Sequence, residues 1–216
     1  MDDRFESRFF RQSDPKRKEF IFTLPPAWWS RCYEYPWASM FAEPGDTVLD
    51  AGCGISHPFK FFLSDTCREV HACDIDERIL SSTAILQEIE ADFGQEEVTK
   101  FPLRYFDNIH FAKADLAKLP YEKGKFDKIF CISVLEHLNM KVMLSILKEF
   151  KRTLKDTGLI ILTFDYPTIN LDTFINIITE VGLKFNGPVS LTLPEDAVFS
   201  DLYGRLYCYR AVLRKD

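Results

Sequence analysis

The chain has 216 residues, with 33 acidic side chains against 27 basic ones and a net charge of −6, enough for one α/β domain that buries roughly 70 % of its unfolded surface. With 46 % hydrophobic and 28 % charged residues it is not a disordered segment, and its acidic balance argues against non-specific nucleic-acid binding. No apolar run reaches membrane-spanning length and the charged N-terminus has no signal-peptide core, so a cytoplasmic protein without a membrane span is expected.

Residues 1–45 carry eleven aromatic side chains, from Phe5 to Phe41, but no alternation of strand and helix. They read as a cap of short helices, either covering a sheet edge or closing over a ligand mouth. Arg31, Tyr33 and Glu34 are its polar members of interest. The first strand follows at Thr47–Ala51 and runs into Gly52-Cys53-Gly54, with Ser56 and Pro58 at the start of a helix. Glycines at such a turn permit positive φ and close approach of a ligand to the backbone. Glu69–Asp76 reads as the second strand, ending in Asp74, 20 residues beyond Gly54, and Asp76 is placed to cap the next helix. Ile79, Thr83, Leu86, Ile89 and Phe93 recur at helical spacing up to Gly94. Residues 95–108 are an extra turn of helix or a substrate loop, before a third strand at Ile109–Ala112 and then Asp115-Leu116.

Residues 126–138 form a nearly continuous apolar strand that ends in Ser133 and leads to Glu136-His137. Met143, Leu147, Phe150 and Leu154 mark a helix closed by Asp156-Thr157-Gly158, and a fifth strand runs from Gly158 to Phe164. A helix over Leu171–Val181 precedes Gly182. Strands near Leu183–Leu193 and Tyr203–Leu213, with no helix between them, are expected to pair antiparallel. The six cysteines form no C-x-x-C pair and lie mostly in apolar strands, as reduced core thiols would.

Asp50-x-Gly52-x-Gly54 together with Ser133-Val134-Leu135-Glu136-His137 resembles the class I S-adenosylmethionine-dependent methyltransferases over about residues 45–165. The resemblance implies a Rossmann-like three-layer α/β sandwich whose seven-stranded, mostly parallel sheet has an antiparallel last strand. Residues 1–45 would be its helical cap and 46–216 a single S-adenosylmethionine-binding unit. By the same resemblance Asp50, Gly52 and Gly54 cradle the methionine end, Asp74 holds the ribose, Ile75, Asp115 and Leu116 meet the adenine, and Ser133 forms the pocket wall.

Methyl transfer is an in-line displacement, which asks for alignment and exclusion of water more than for a nucleophile. A base for the acceptor is sought first at His137, then Glu136, with His110, Asp165 and Tyr166 as further candidates; a brace for the helix after strand four is the structural alternative for the Glu-His pair. Where some resembling O-methyltransferases carry a third acid before that pair, this chain has Ser133, so no metal is expected. The aromatic cap favours a small, planar or apolar acceptor, and the products would be the methylated acceptor and S-adenosylhomocysteine. Three rivals remain: a silent S-adenosylmethionine binder, an RNA methyltransferase, for which there is no basic face, and a nicotinamide oxidoreductase, whose third fingerprint glycine is replaced by His57.

Overall fold

The computed structural model describes residues 3–202 and 204–216. In chain order the elements are β1 (Arg8–Phe9), β2 (Glu19–Phe20), β3 (Phe22–Thr23), α1 (Arg31–Ser39), β4 (Thr47–Ala51), α2 (Phe59–Thr66), β5 (Glu69–Asp74), α3 (Ser82–Phe93), α4 (Gln95–Lys100), α5 (Tyr105–Asn108), β6 (Ile109–Lys113), β7 (Phe126–Ile132), α6 (Met140–Thr153), β8 (Leu154–Tyr166), α7 (Leu171–Val181), β9 (Leu183–Phe185), β10 (Phe199–Ser200) and β11 (Leu206–Lys215).

The main sheet runs β1-β11-β8-β7-β4-β5-β6, with β9 and β10 also paired to β11. The strands from β6 to β8 are mutually parallel, whereas β11 is antiparallel to β8. Strand order reverses beside β4, so the carboxyl ends of β4 and β7 flank the crevice where such sheets bind ligands. Strand residues are apolar on both faces because helices cover both. Val48, Phe130 and Ile132 pack in one core layer with Phe59, Phe61 and Ile85, while Leu49, Ile129 and Cys131 pack in the other with Ile146, Leu147 and Phe174. Met143, Ile146, Leu147 and Phe150 lie on one face of α6 and are buried, each contributing about 1.5–3 kcal/mol.

Several expectations are adjusted. Residues 3–45 hold one α-helix and a single 3-10 turn at Asp3–Phe5; the remainder is turns and short strands, with β1 lengthening the sheet and β2–β3 forming a small hairpin. Arg210, buried within β11, anchors this segment by donating to the Asp3 and Glu6 carbonyls at 2.8 and 3.1 Å. Helix α6 stops at Thr153, because Leu154 already pairs with Phe126. The register then shifts before Lys128 meets Leu159, so Asp156-Thr157-Gly158 is an irregular stretch inside β8. A Cβ on Gly158 would stand 2.8 Å from the Asp127 carbonyl. Residues 95–108 hold α4 and α5, and Phe101 just after the first and Tyr105 in the second pack on Phe61 rather than forming a substrate loop. The tail strands are shorter than expected, and Tyr203 lies outside the described residues.

The link between Glu136-His137 and α6 is a helix start in which the Asn139 carboxamide accepts from the Lys141 and Val142 N–H groups, both at 3.1 Å. Replacing it leaves both donors without that partner. Asn139→Ala should lower unfolding free energy by about 1 kcal/mol in urea titration.

Candidate active site

At the end of β4 the backbone passes through Gly52 and Gly54 at φ +71° and +60°. A Cβ at 52 would lie within 2.9 Å of the Val134 methyls, and one at 54 would run into the His57 ring. Glycine is therefore required here by the chain's own side chains as well as by the backbone conformation.

The turn is held from two sides. Lys60 in α2 is fully buried and donates to the carbonyls of Cys53, Gly54 and His57 at 3.2, 2.9 and 2.6 Å. Opposite it, the Gly54 N–H donates to Asp74 Oδ2 at 2.9 Å, while Asp74 Oδ1 accepts from the Asp76 N–H at 3.0 Å. The 20-residue spacing of Gly54 and Asp74 is thus a direct bond between two strand ends. Asp76 caps the following turn by accepting from the Arg78 N–H, and Asp115 does the same for Ala117.

Three adjoining cavities open at this edge. The first, about 350 Å³, is lined by Gly52, Asp74, Ile75, Asp115, Leu116 and Ser133, with Val134 and His137 beyond them. Ile75 is 67 % exposed, an apolar side chain at the cavity margin with no core partner to hide it. The second, about 60 Å³, holds Asp50 and Gly54 with Arg31, Tyr35 and His57. The third, about 220 Å³, is lined by Trp28, Trp29, Arg31, Glu136, His137 and Asp165. Ser133 borders all three. It sits at φ +49°, a conformation costing a residue with a side chain about 1–3 kcal/mol. It is held there by its N–H donating to the Thr163 carbonyl at 3.0 Å and its hydroxyl donating to Glu34 Oε1 at 2.7 Å.

Glu34 is wholly buried and bonded on several sides: Ser30 donates to it at 3.0 Å, Arg31 at 2.5 Å and the Cys208 thiol at 3.3 Å. Burial opposes its charge, but Arg31 with the Thr163 and Ser133 hydroxyls outweighs that and holds its acidity below the ordinary carboxylate value. Arg31 and Tyr35, four residues apart, share a face of α1 and reach the second cavity. Tyr33, a polar member of interest in the cap, instead packs against Phe10, with Lys16 over its ring. The Tyr35 hydroxyl lies 2.8 Å from His57 Nδ1, and Trp28 stacks on the His57 ring with centroids 4.0 Å apart.

Every residue singled out for the methionine, ribose, adenine and wall positions lines the first or second cavity, and Glu136 and His137 line the third. His110 does not join them. It stands near the opposite end of β6, stacked on His71, because a parallel strand delivers only its carboxyl end to the crevice. Tyr166 packs on Phe9 at 5.3 Å, whereas its neighbour Asp165 faces the third cavity. Lys60, His57 and Tyr35 were not singled out from the sequence. The legible signal for Lys60 is a lone charge inside the apolar run Phe59–Leu63.

Two buried acids, Asp50 and Glu136, and the half-buried Asp165 are poorly compensated. Burial raises Asp50 to about 7; Lys60 opposes the shift and Asp74 adds to it. Burial likewise raises Glu136 to about 8, with Asp165 and Glu34 adding to the shift while its own backbone N–H and Arg31 oppose it. Asp165 rises to about 6, again through burial and then Glu34.

The fold agrees with the comparisons. Residues 49–162, just over half of the chain, match the family described as methyltransferase domain. The chain belongs to that family, within the class I S-adenosylmethionine-dependent methyltransferases, whose methyl donor is S-adenosylmethionine. It is 26 % identical over 117 residues to a sterol 24-C-methyltransferase of Gibberella zeae, a match that takes in 54 % of this chain and 27 % of the relative, so the chain spans only about a quarter of that curated protein. Among solved structures it resembles a TehB-like S-adenosylmethionine-dependent methyltransferase from Corynebacterium glutamicum, with TM-score 0.57, 18 % identity and 85 % and 87 % of the two chains covered. It also resembles magnesium protoporphyrin IX methyltransferase from Synechocystis, solved with bound S-adenosylmethionine, with TM-score 0.55, 20 % identity and 84 % and 76 % covered. At these identities the structural likeness speaks for the fold.

The raised acids give the ligand-free protein a defined response to pH. A carboxyl whose folded value exceeds its unfolded one stabilises the fold fully below the unfolded value and loses that contribution as pH rises through the folded value. The melting temperature should therefore fall from about pH 5 to about pH 8, where the unfolded chain has already ionised Asp50 and Glu136 and the fold still holds them protonated, and level off once they ionise in the fold at about 7 and about 8. Glu136→Gln should flatten the upper part of that decline and melt above the wild type at pH 9 in differential scanning calorimetry.

Proposed function

We propose that this chain transfers the methyl group of S-adenosylmethionine to a small-molecule acceptor. The observation that carries the reading is the lock between Gly54 and Asp74. It presents a fixed carboxylate, a glycine turn and the exposed Ile75 to one cavity of a size suited to a nucleoside. The residues fit the donor: both Asp74 oxygens already accept one backbone N–H and keep further lone pairs for hydroxyl groups. Asp50, Gly52 and Gly54 would face its methionine end, Asp74 its ribose, Ile75, Asp115 and Leu116 its adenine, with Ser133 as the wall between donor and acceptor. When bound, the sulfonium supplies an electrophilic methyl group.

The chain's own part is alignment, dryness and a place for a proton. Residues 3–45 act as a cap, because the Glu34 network ties α1 to Ser133 while Trp28 and Trp29 roof the third cavity. That cavity is the acceptor site. Its indoles favour an acceptor with a planar or apolar body. Within it Glu136 and His137 serve as the groups that take a proton, the first buried and the second exposed at the rim. His137 borders the donor cavity as well as the acceptor cavity, so it also sits on the line between them.

Titration calorimetry with S-adenosylhomocysteine tests the donor site. The wild type should bind it and ignore NAD. Asp74→Asn should weaken binding about tenfold to a hundredfold, the loss of about 1.5–3 kcal/mol expected for a charged hydrogen bond. Gly54→Ala, which drives a methyl group into His57, should weaken it at least as much. Absence of heat with the wild type overturns the donor reading, and absence of turnover with every acceptor would leave a binding protein in its place.

A further inference from the structure

The third cavity combines two features that point beyond a neutral acceptor. Neither carboxylate oxygen of Glu136, a residue 8 % exposed, is paired with any other described residue, its own backbone N–H being the one group that favours its charge from within the residue, and Asp165 Oδ1 is buried and unpartnered as well. Both side chains line the same 220 Å³ space as Trp28 and Trp29. The nearby guanidinium is already engaged, since Arg31 pairs with Glu34 at 2.5 Å. Two acids thus face an aromatic-walled hollow without a counter-ion of their own, an arrangement that is costly to bury and that a cation completes. The indole walls favour an organic cation over a hard metal ion, which asks for six or more oxygens rather than two acids among rings.

Resting on the donor site proposed above, we infer that the acceptor is an amine, bound in this cavity as its ammonium ion between Glu136, Asp165 and the indoles of Trp28 and Trp29. An ammonium nitrogen has no lone pair until it gives up a proton. Glu136 accepts that proton and becomes a neutral carboxylic acid, a role suited to a carboxyl whose acidity burial has weakened. The nitrogen pair then forms the N–C bond, the C–S bonding pair stays on sulfur, and the product leaves as the methylated ammonium ion. His137, exposed at the rim, passes the proton on to water.

The test uses the full chain and matched pairs of probes: 2-phenylethylamine with 2-phenylethanol, and tryptamine with tryptophol. Binding is read by tryptophan fluorescence and by melting temperature, with and without S-adenosylhomocysteine, and turnover by transfer of labelled methyl. The amine of each pair should bind at least tenfold more tightly than its alcohol and be the member that is methylated. The double variant Glu136→Gln/Asp165→Asn should erase that preference while S-adenosylhomocysteine affinity stays within about threefold. Equal binding of amine and alcohol, binding of neither, or a preference that survives the double variant overturns the proposal. So does magnesium chloride alone producing the stabilisation assigned to the amines. Failure of S-adenosylhomocysteine to bind would instead strike the donor reading, and the amine preference measured without it still decides the acceptor question.

Discussion

The fold brings two strand ends together across a glycine turn, and the site depends on how that turn is held. A backbone loop with left-handed residues has carbonyls pointing away from any ladder, and buried carbonyls need donors. Lys60 provides them, its ammonium meeting three carbonyls from inside the core. A buried ammonium is costly in turn. Burial lowers the proton affinity of Lys60, while Cys53, Asp50 and Asp74 partly restore it. Asp74 then binds the outer side of the turn through the Gly54 N–H. The loop is thereby shaped before any ligand arrives, which reduces the ordering cost of binding.

The second constraint is the attachment of the N-terminal segment. Residues that look like an appendage in the sequence are joined to the sheet at both ends: Arg210 gathers the 3–6 stretch and Glu34 joins α1 to Ser133. Ser133 stands at the meeting point of the three cavities in a conformation that needs support, and its support comes from this segment and from Thr163. Cap and crevice therefore form one hydrogen-bonded unit. Movement of α1 would be felt first at Ser133, the wall that the three cavities share.

Much of this was legible in the sequence because it follows local rules. Alternating apolar strands and helices gave the parallel sheet, glycines 52 and 54 gave the turn, and the interval to Asp74 gave the second strand tip. What was not legible depends on tertiary contact. The Phe126–Leu154 pairing ends α6 earlier than periodicity implies, and nothing local to 154–158 announces the irregularity in β8. His110 looked suitable by type, but its position along β6 places it away from the crevice. Tyr35 rather than Tyr33 reaches the site because of the phase of α1, which composition does not reveal. Lys60 stands out in the sequence as a charge within Phe59–Leu63, but the carbonyls it serves are set by the tertiary turn and are not legible there.

The central claim is that the Gly52–Gly54 turn and Asp74 fix the donor so that its sulfur opens toward Ser133 and the cavity of Glu136. The most direct measurement is a crystal structure of the complex with S-adenosylhomocysteine. The account predicts ribose hydroxyls on the Asp74 carboxylate, adenine against Ile75 and Leu116, and the sulfur beside Ser133 facing Trp28, Trp29 and Glu136. Density for the ligand outside this crevice, or a sulfur turned away from the Glu136 cavity, would contradict it.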